Sequence, residues 1–336
     1  MVLTFGEILL RLSPKLGGTW IREASFPVFV GGAELNVATA LANWQIPVAY
    51  CSAMPDNALS REIETYLGEK NIRTGKLIWS GDRIGIYMLP QGADLKNAGV
   101  IYDRAHSSFS ALKKGDIAWD ALFEGVRYFH LSAISPALNG EVAALCTEAA
   151  RQATLRGITV TFDLNYRSKL WKYGKAPAEI VPEIVQYCDV IMGNIWAAHT
   201  LLGTDIDPEV AENRAGKEDY LQQARLTSGQ IMEKFPKVKA VANTFRFDAG
   251  REGINYYATW LSGGDFVVSK EFDTDRVVDK VGSGDCFMAG LLYGLYRNLD
   301  ARSTVNFAAS AAFGKLREYG DASGQTVTDV LTRIEQ

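Results

Sequence analysis

The residues best suited to do chemistry lie between Asp279 and Gly290, which read Asp-Lys-Val-Gly-Ser-Gly-Asp-Cys-Phe-Met-Ala-Gly. Gly282 and Gly284 free the backbone for conformations closed to residues with a Cβ. The small and apolar residues from Cys286 onward predict a helix directly after them. Such a bend aims several peptide N–H groups at one point. Together with the positive end of the helix dipole they form a seat for an anion, such as a phosphoryl group in transfer. Asp285 beside that seat repels an anion unless its task is to take a proton from a hydroxyl that attacks phosphorus. The competing reading makes Asp285 a helix cap and the glycines an ordinary strand-to-helix turn, and four residues alone do not decide between them.

The rest of the chain must position this stretch. From Tyr128 onward strand and helix patterns alternate: strands at Tyr128 to Leu131, Thr159 to Phe162, Val190 to Met192 and Lys239 to Asn243, helices at Gly140 to Arg156, Glu179 to Tyr187 and Leu221 to Phe235. That alternation predicts a mostly parallel sheet with helices on both faces. Ligands on such sheets bind beyond the carboxyl ends of the strands, where Asp163, Asn165, Arg167 and Asn194 fall. Asp205 to Tyr220, polar and of mixed charge, reads as a solvated loop. Near the N-terminus, Val2 to Phe5 predicts a strand that Leu9 to Leu12 continues after a break at Gly6-Glu7. Gly31-Gly32 opens a helix through Asn43, either as a tight turn or to let a ligand approach the backbone. Between Lys76 and Phe109 the texture changes to short runs, Leu77 to Trp79, Gly85 to Leu89 and Gly99 to Tyr102, split by Gly, Asp and Asn. These read as antiparallel strands of a small inserted sheet, joined by residues from about 9 to 30, that forms a lid.

The 336 residues are 47% hydrophobic, enough for one large domain with a modest appendage. Lys and Arg number 35 against 39 Asp and Glu, so the basic excess that nucleic acid or an anionic membrane calls for is absent and a small-molecule partner is expected. The four cysteines lack metal-ligand spacing and sit in apolar contexts, which with the missing signal-peptide pattern and spanning segment predicts the cytoplasm. Three scattered histidines argue against a zinc enzyme.

Several stretches then agree in order: Gly6-Glu7 with Arg11-Leu12-Ser13-Pro14; Gly31 to Ala38; Gly85-Ile86-Tyr87 with Tyr102-Asp103-Arg104-Ala105; Asp163-Leu164-Asn165-Tyr166-Arg167 with Leu170-Trp171; and the Gly-Ser-Gly-Asp stretch. Across essentially its whole length the sequence resembles the ribokinase-like, phosphofructokinase-B type carbohydrate kinases, and within them is most similar to the 2-keto-3-deoxygluconate kinases. The resemblance implies a three-layer α/β/α fold with a small antiparallel β-sheet lid, sugar held between the two, and ATP with magnesium along the carboxyl edge of the sheet. It implies Asp285 as the base and the amides of Gly282, Ser283 and Gly284 as the phosphoryl seat. Gly32, Asn36, Tyr87, Tyr102, Arg104 and Arg167 would meet the sugar, with Arg167 reaching its acidic end or the phosphates. Asp163, Asn165, Asn194 and Thr244 would serve the nucleotide. Asp279 falls where some members bind a monovalent cation such as potassium.

Two departures stand out. The family's Asn-x-x-Glu appears as Asn194-Ile195-Trp196-Ala197, without the acid, and its Thr-x-Gly turn as Thr244-Phe245-Arg246. Arg246 either meets phosphate charge or is a surface arginine. Trp196 is expected to be buried in its apolar run, Cys286 to pack in the core, and His106 to be solvated. The leading expectation is an ATP-dependent sugar-acid kinase, because two guanidinium groups, Arg104 and Arg167, suit a carboxylate. The alternatives are a kinase for a neutral ketohexose, with Arg104 paired to Asp103 and Arg167 to Asp163, and a sugar-binding protein without catalysis. An exposed lid sheet would also offer a surface for a homo-oligomer.

Overall fold

In chain order, β1 (Val2–Phe5), β2 (Leu9–Leu12), β3 (Val28–Gly31), α1 (Ala33–Asn43), β4 (Val48–Cys51), β5 (Ala53–Met54), α2 (Ala58–Glu69), β6 (Ile78–Trp79), β7 (Gly85–Met88), β8 (Ile101–Asp103) and α3 (Trp119–Phe123) form the first part. Then follow β9 (Tyr128–Ser132), α4 (Gly140–Leu155), β10 (Thr159–Asp163), α5 (Pro177–Val185), β11 (Val190–Gly193), α6 (Ile195–Leu202), α7 (Pro208–Ala211) and α8 (Lys217–Lys234). The last part holds β12 (Ala240–Ala249), β13 (Gly253–Ser262), β14 (Asp265–Val268), β15 (Phe272–Thr274), α9 (Ser283–Arg297), α10 (Ala301–Lys315) and α11 (Val327–Glu335). This computed structural model describes all residues except 16, 19, 23, 24, 92–98 and 251, so parts of the expected lid segments 9–30 and 76–109 lie outside the described residues.

The large sheet has nine strands, in the order β14-β13-β12-β11-β10-β9-β1-β4 with β15 beside β13. From β4 to β12 all neighbours are parallel, and β13 to β15 close one edge antiparallel. Successive side chains alternate across it. Val2, Tyr50, Tyr128 and Met192 pack with α1, α2, α9, α10 and α11, while Leu3, Ala49, Phe129 and Ile191 pack with α3, α4, α5, α6 and α8. Both faces are covered, which is why the central strands read as continuous apolar runs.

Gly6-Glu7 does more than interrupt a strand. β1 stays in the large sheet, whereas β2 enters a four-stranded sheet of order β3-β2-β7-β8. Its outer pairs are antiparallel and its central β2–β7 pair is parallel. Leu77 to Trp79 does not join this sheet as expected. Residues Ile78–Trp79 pair in parallel with Ala53–Met54, because α2 carries the chain back in a strand-helix-strand crossover. The stretch 205–220 is also more ordered than its polarity predicts. Asp207 caps α7 through the amides of Glu209 and Val210, and Asp219 accepts from the Gly216 amide to start α8 at Lys217.

α9 carries the Gly-Ser-Gly-Asp residues at its N-terminus and lies along α10. The two backbones meet at glycine: a side chain on Gly290 would run into Ala308, and one on Gly294 into Thr304.

Candidate active site

A cleft of about 510 Å³ opens between the small sheet and the carboxyl ends of β10, β11 and β12. Gly282, Ser283, Gly284 and Asp285 line its floor, and every other site residue expected from the sequence except Asp279 lines the cleft as well. Gly282 has φ 78° and caps α9, and a methyl group there would collide with the Asp321 carbonyl, so glycine is required on both counts. The first amides of a helix have no partner within it, so those of α9 are left facing the cleft. The Ser283 hydroxyl turns away, donating to the Ala312 carbonyl at 3.1 Å.

Asp285 is 8% exposed. Its Oδ2 accepts from Asn36 Nδ2 at 2.7 Å. Burial pushes its pKa up to about 6 despite the Asn36 bond and the Arg167 guanidinium, which favour the charged form. That places a proton acceptor close to neutrality. Two further buried carboxyls flank it. Glu34, bonded by the Ser132 hydroxyl at 2.6 Å, is pushed by burial to about 7. Asp163 lies well above the usual range through burial and the charge of Asp285.

The lid supplies the opposite wall. Alternation in β2, β3, β7 and β8 points Leu9, Tyr87 and Tyr102 inward, where Leu9 and Tyr87 pack with Val281 just before the anion seat. The rings of Tyr87 and Tyr102 have centroids 6.4 Å apart. The Tyr87 hydroxyl donates to Asp321 Oδ2. Gly32, with φ 137°, lets the start of α1 approach the Glu7 backbone.

Arg104 and Arg167 both reach the cleft, but neither makes the pair weighed from sequence. Arg104 Nε binds Glu7 Oε2 at 2.5 Å, and Glu7 also accepts from the Ser107 hydroxyl; Asp103 instead pairs with Arg83 at 2.8 Å. Arg104 Nη1 is buried without a hydrogen-bond partner among the described residues. Arg167 is half-buried, its Nη1 donates to the Tyr166 carbonyl at 3.0 Å, and its Nε has no partner among the described residues. Asp279 departs further from expectation. Its Oδ2 accepts from Arg11 Nη1 at 2.9 Å and its Oδ1 from the Val281 amide at 3.1 Å, so a protein cation already faces this carboxylate.

At the other end, Asn165, Asn194 and Thr244 line the cleft beside Arg246 and Lys280. Asn194 caps α6, accepting from the Ala197 amide at 2.8 Å, and Thr244 Oγ1 donates to the Gly193 carbonyl at 3.1 Å. Trp196 is not sunk in the core as expected. Its ring stands edge-on to Phe245 with centroids 6.3 Å apart, and it contributes to the cleft wall. Cys286 does pack in the core, where burial holds its thiol near 12, and His106 is exposed. Sequence reasoning missed Asp321 and Lys280. Asp321 sits in a glycine-flanked loop whose only local signal is turn chemistry.

A buried carboxyl of raised pKa beside helix-terminal amides, in a cleft between a small sheet and the carboxyl edge of a parallel sheet, is the arrangement expected of a phosphotransferase that acts on a small hydroxyl compound. The chain belongs to the pfkB family carbohydrate kinases, which it matches over residues 1–327. It is 29% identical over 331 residues to the 2-dehydro-3-deoxygalactonokinase of Haloferax volcanii, covering 98% of this chain and 95% of that one. It is 25% identical over 334 residues to the 2-dehydro-3-deoxygluconokinase of Bacillus subtilis, covering 98% and 93%. The solved structure of 2-dehydro-3-deoxygluconokinase from Thermotoga maritima superposes with a TM-score of 0.89 at 30% identity over 100% of this chain and 99% of that one.

Proposed function

We propose that this carbohydrate kinase transfers the γ-phosphoryl group of ATP to a hydroxyl of a sugar acid of the 2-keto-3-deoxygluconate type. The observation that carries the reading is Arg167, whose guanidinium lines the cleft and, among the described residues, has no partner at Nε and no carboxylate in ion-pair contact. A sugar carboxylate matches such a fork of donors, whereas a neutral sugar offers it only hydroxyl oxygens. The names of the relatives point the same way.

Asp285 takes the proton of the attacking hydroxyl while Asn36 fixes the carboxylate. The amides of Gly282, Ser283 and Gly284 hold the phosphoryl group, and Gly32, Tyr87 and Tyr102 enclose the sugar. Asp163, Asn165, Asn194 and Thr244, with Trp196 and Arg246, serve the nucleotide. Magnesium, when bound with the nucleotide, neutralises the β- and γ-phosphate charge. The oxygen donors present suit it, and since Asp163 is the only carboxylate beside Asn165, Asn194 and Thr244 among the described residues, water and phosphate would supply most of its ligands. The lid closes over sugar and keeps water from the phosphoryl group. Four buried, free cysteines support a reducing compartment, the cytoplasm.

The outer face of the lid supports a homo-oligomer. Leu10, Leu12, Val28, Val30, Ile86, Met88 and Ile101 share it by register, with Val28 55% and Ile101 50% exposed, and a second copy would cover it.

One observation favours a neutral ketohexose instead, namely that Arg104 is already neutralised by Glu7. ADP release measured over a panel of sugar acids and ketoses decides. Turnover is expected with 2-keto-3-deoxy sugar acids, and a higher kcat/KM for a ketohexose would overturn the reading.

A further inference from the structure

Directly beneath the anion seat lies a buried cluster of charge, in which Arg11 Nε and Nη2 have no hydrogen-bond partner among the described residues. Arg11, on lid strand β2, is fully buried, and its Nη1 bridges Asp279 Oδ2 at 2.9 Å and Asp321 Oδ1 at 3.0 Å. The remaining oxygens are also engaged: Asp279 Oδ1 accepts from the Val281 amide, and Asp321 Oδ2 from the Tyr87 hydroxyl. Lys315, fully buried on α10, runs under Gly282, with its Cε 3.3 Å from where a Cβ on that glycine would stand. Its Nζ donates to the Glu318 carbonyl at 3.2 Å, and the charges of Asp279 and Asp321 both act on it.

A monovalent cation at Asp279 would need oxygen lone pairs facing it to replace its lost hydration, and no protein cation in its place. Here each of the four carboxylate oxygens already accepts a hydrogen bond, and two carboxylates meet one guanidinium and one ammonium. The residues do not fit such an ion. A guanidinium is charged at every working pH and holds carboxylates in a fixed geometry, which a hydrated ion does not. Through the Asp279–Val281 bond that geometry sets the chain entering Gly282.

We propose that Arg11 is a positioning residue that provides, from the lid, the positive charge under the phosphoryl seat, so that the kinase works without potassium or any other alkali ion. The seat is then properly shaped only while β2 is docked on Asp279 and Asp321. The inference rests on phosphoryl transfer at Asp285 and not on which sugar is used, so it survives a wrong choice of sugar.

The test uses the full chain freed of alkali ions in tetramethylammonium chloride, with magnesium and tetramethylammonium ATP. On adding potassium chloride at constant ionic strength, both the rate with the best substrate of the panel and the melting temperature are expected to stay level, the rate within about twofold. A rise in rate of about tenfold or more, or a rise in melting temperature specific to potassium, would overturn the proposal. Arg11→Met should lower kcat far more than it raises KM for sugar. Potassium or methylguanidinium should restore part of that loss and raise the melting temperature of the variant. Arg11→Lys should keep activity without alkali ions. A folded Arg11→Met enzyme that neither cation restores would make Arg11 merely structural and sink the idea. If Arg11→Met does not fold, the wild-type and Arg11→Lys measurements still decide.

Discussion

Asn36 and Asp285, 249 residues apart in sequence, are joined by a hydrogen bond of 2.7 Å that ties the start of α1 to the start of α9. The bond occupies one oxygen of the carboxylate and leaves the other to meet a hydroxyl. Asp285→Asn keeps the size and the neighbour but cannot accept a proton. It should lower kcat by about 10²- to 10⁴-fold with KM for sugar changed little. In the wild type, kcat/KM should fall as pH drops through about 6, where Asp285 becomes protonated. Stability has the opposite sign. A carboxyl whose pKa is raised in the fold favours the folded state at low pH, and that contribution is lost as pH rises through about 6. Asp285→Asn should therefore melt higher than wild type at pH 8, with the gain shrinking below pH 6. A flat rate profile down to pH 5 would count against Asp285 as the base.

The two arginines of the cleft should respond differently. Arg167→Leu removes a side chain that makes no ion pair among the described residues, so the fold should hold while KM for a sugar acid rises by at least about tenfold, the worth of one charge-assisted contact. KM for a neutral ketose should change much less. Arg104→Leu strands Glu7 as a buried, unpaired carboxylate and should cost roughly 3–5 kcal/mol of stability. Glu7→Gln in addition should recover part of it, as read by thermal melting. Equal losses on acidic and neutral sugars for Arg167→Leu would shift the substrate to a ketohexose.

Turnover should stop in excess chelator and return with magnesium, because the charge of the β- and γ-phosphates would need a divalent cation to offset it during transfer. Full activity in chelator would refute this.

Hydrogen exchange across residues 85–88 and 101–103 should slow when sugar is added, since sugar fills the space between the lid and α9. Unchanged exchange would make the small sheet a fixed wall.

Placing glutamate at Val28 and Ile101 together should turn an oligomer into a monomer, measured by light scattering, with the melting of the monomer fold retained. A wild-type protein that is monomeric at micromolar concentration would dispose of the lid interface.

The parts of this molecule that could be read from sequence are those where backbone chemistry is local. Gly282 announces its loop because only glycine suits the left-handed bend there, whereas Gly284 lies inside α9 with room for a Cβ, and the alternation of strand and helix from Tyr128 gives the sheet because period and length are properties of neighbours. What stayed hidden is long-range pairing of charge. Nothing near Arg104 in the chain distinguishes Glu7 from Asp103 as its partner, and Asp103 is the nearer in sequence. Asp321 lies 310 residues from Arg11 and looks like a turn residue. Trp196 misled because an apolar run borders a cleft as readily as it fills a core.

The contact of Gly290 with Ala308 and of Gly294 with Thr304 has a consequence for how this sequence can drift. With no gap between the helices, an added methyl at 290 must lift α9 off α10 and carry the amides of residues 283 and 284 with it. A displacement of only about 1 Å at reacting groups can cost about a hundredfold in rate. Position 290 is therefore barred from alanine whatever stands at 308, because the added carbon would run into the Ala308 Cα itself, whereas 294 admits alanine only if the side chain at 304 shrinks. Only the 294/304 pair can change jointly and 290 cannot change at all, although none of the four residues lines the cleft.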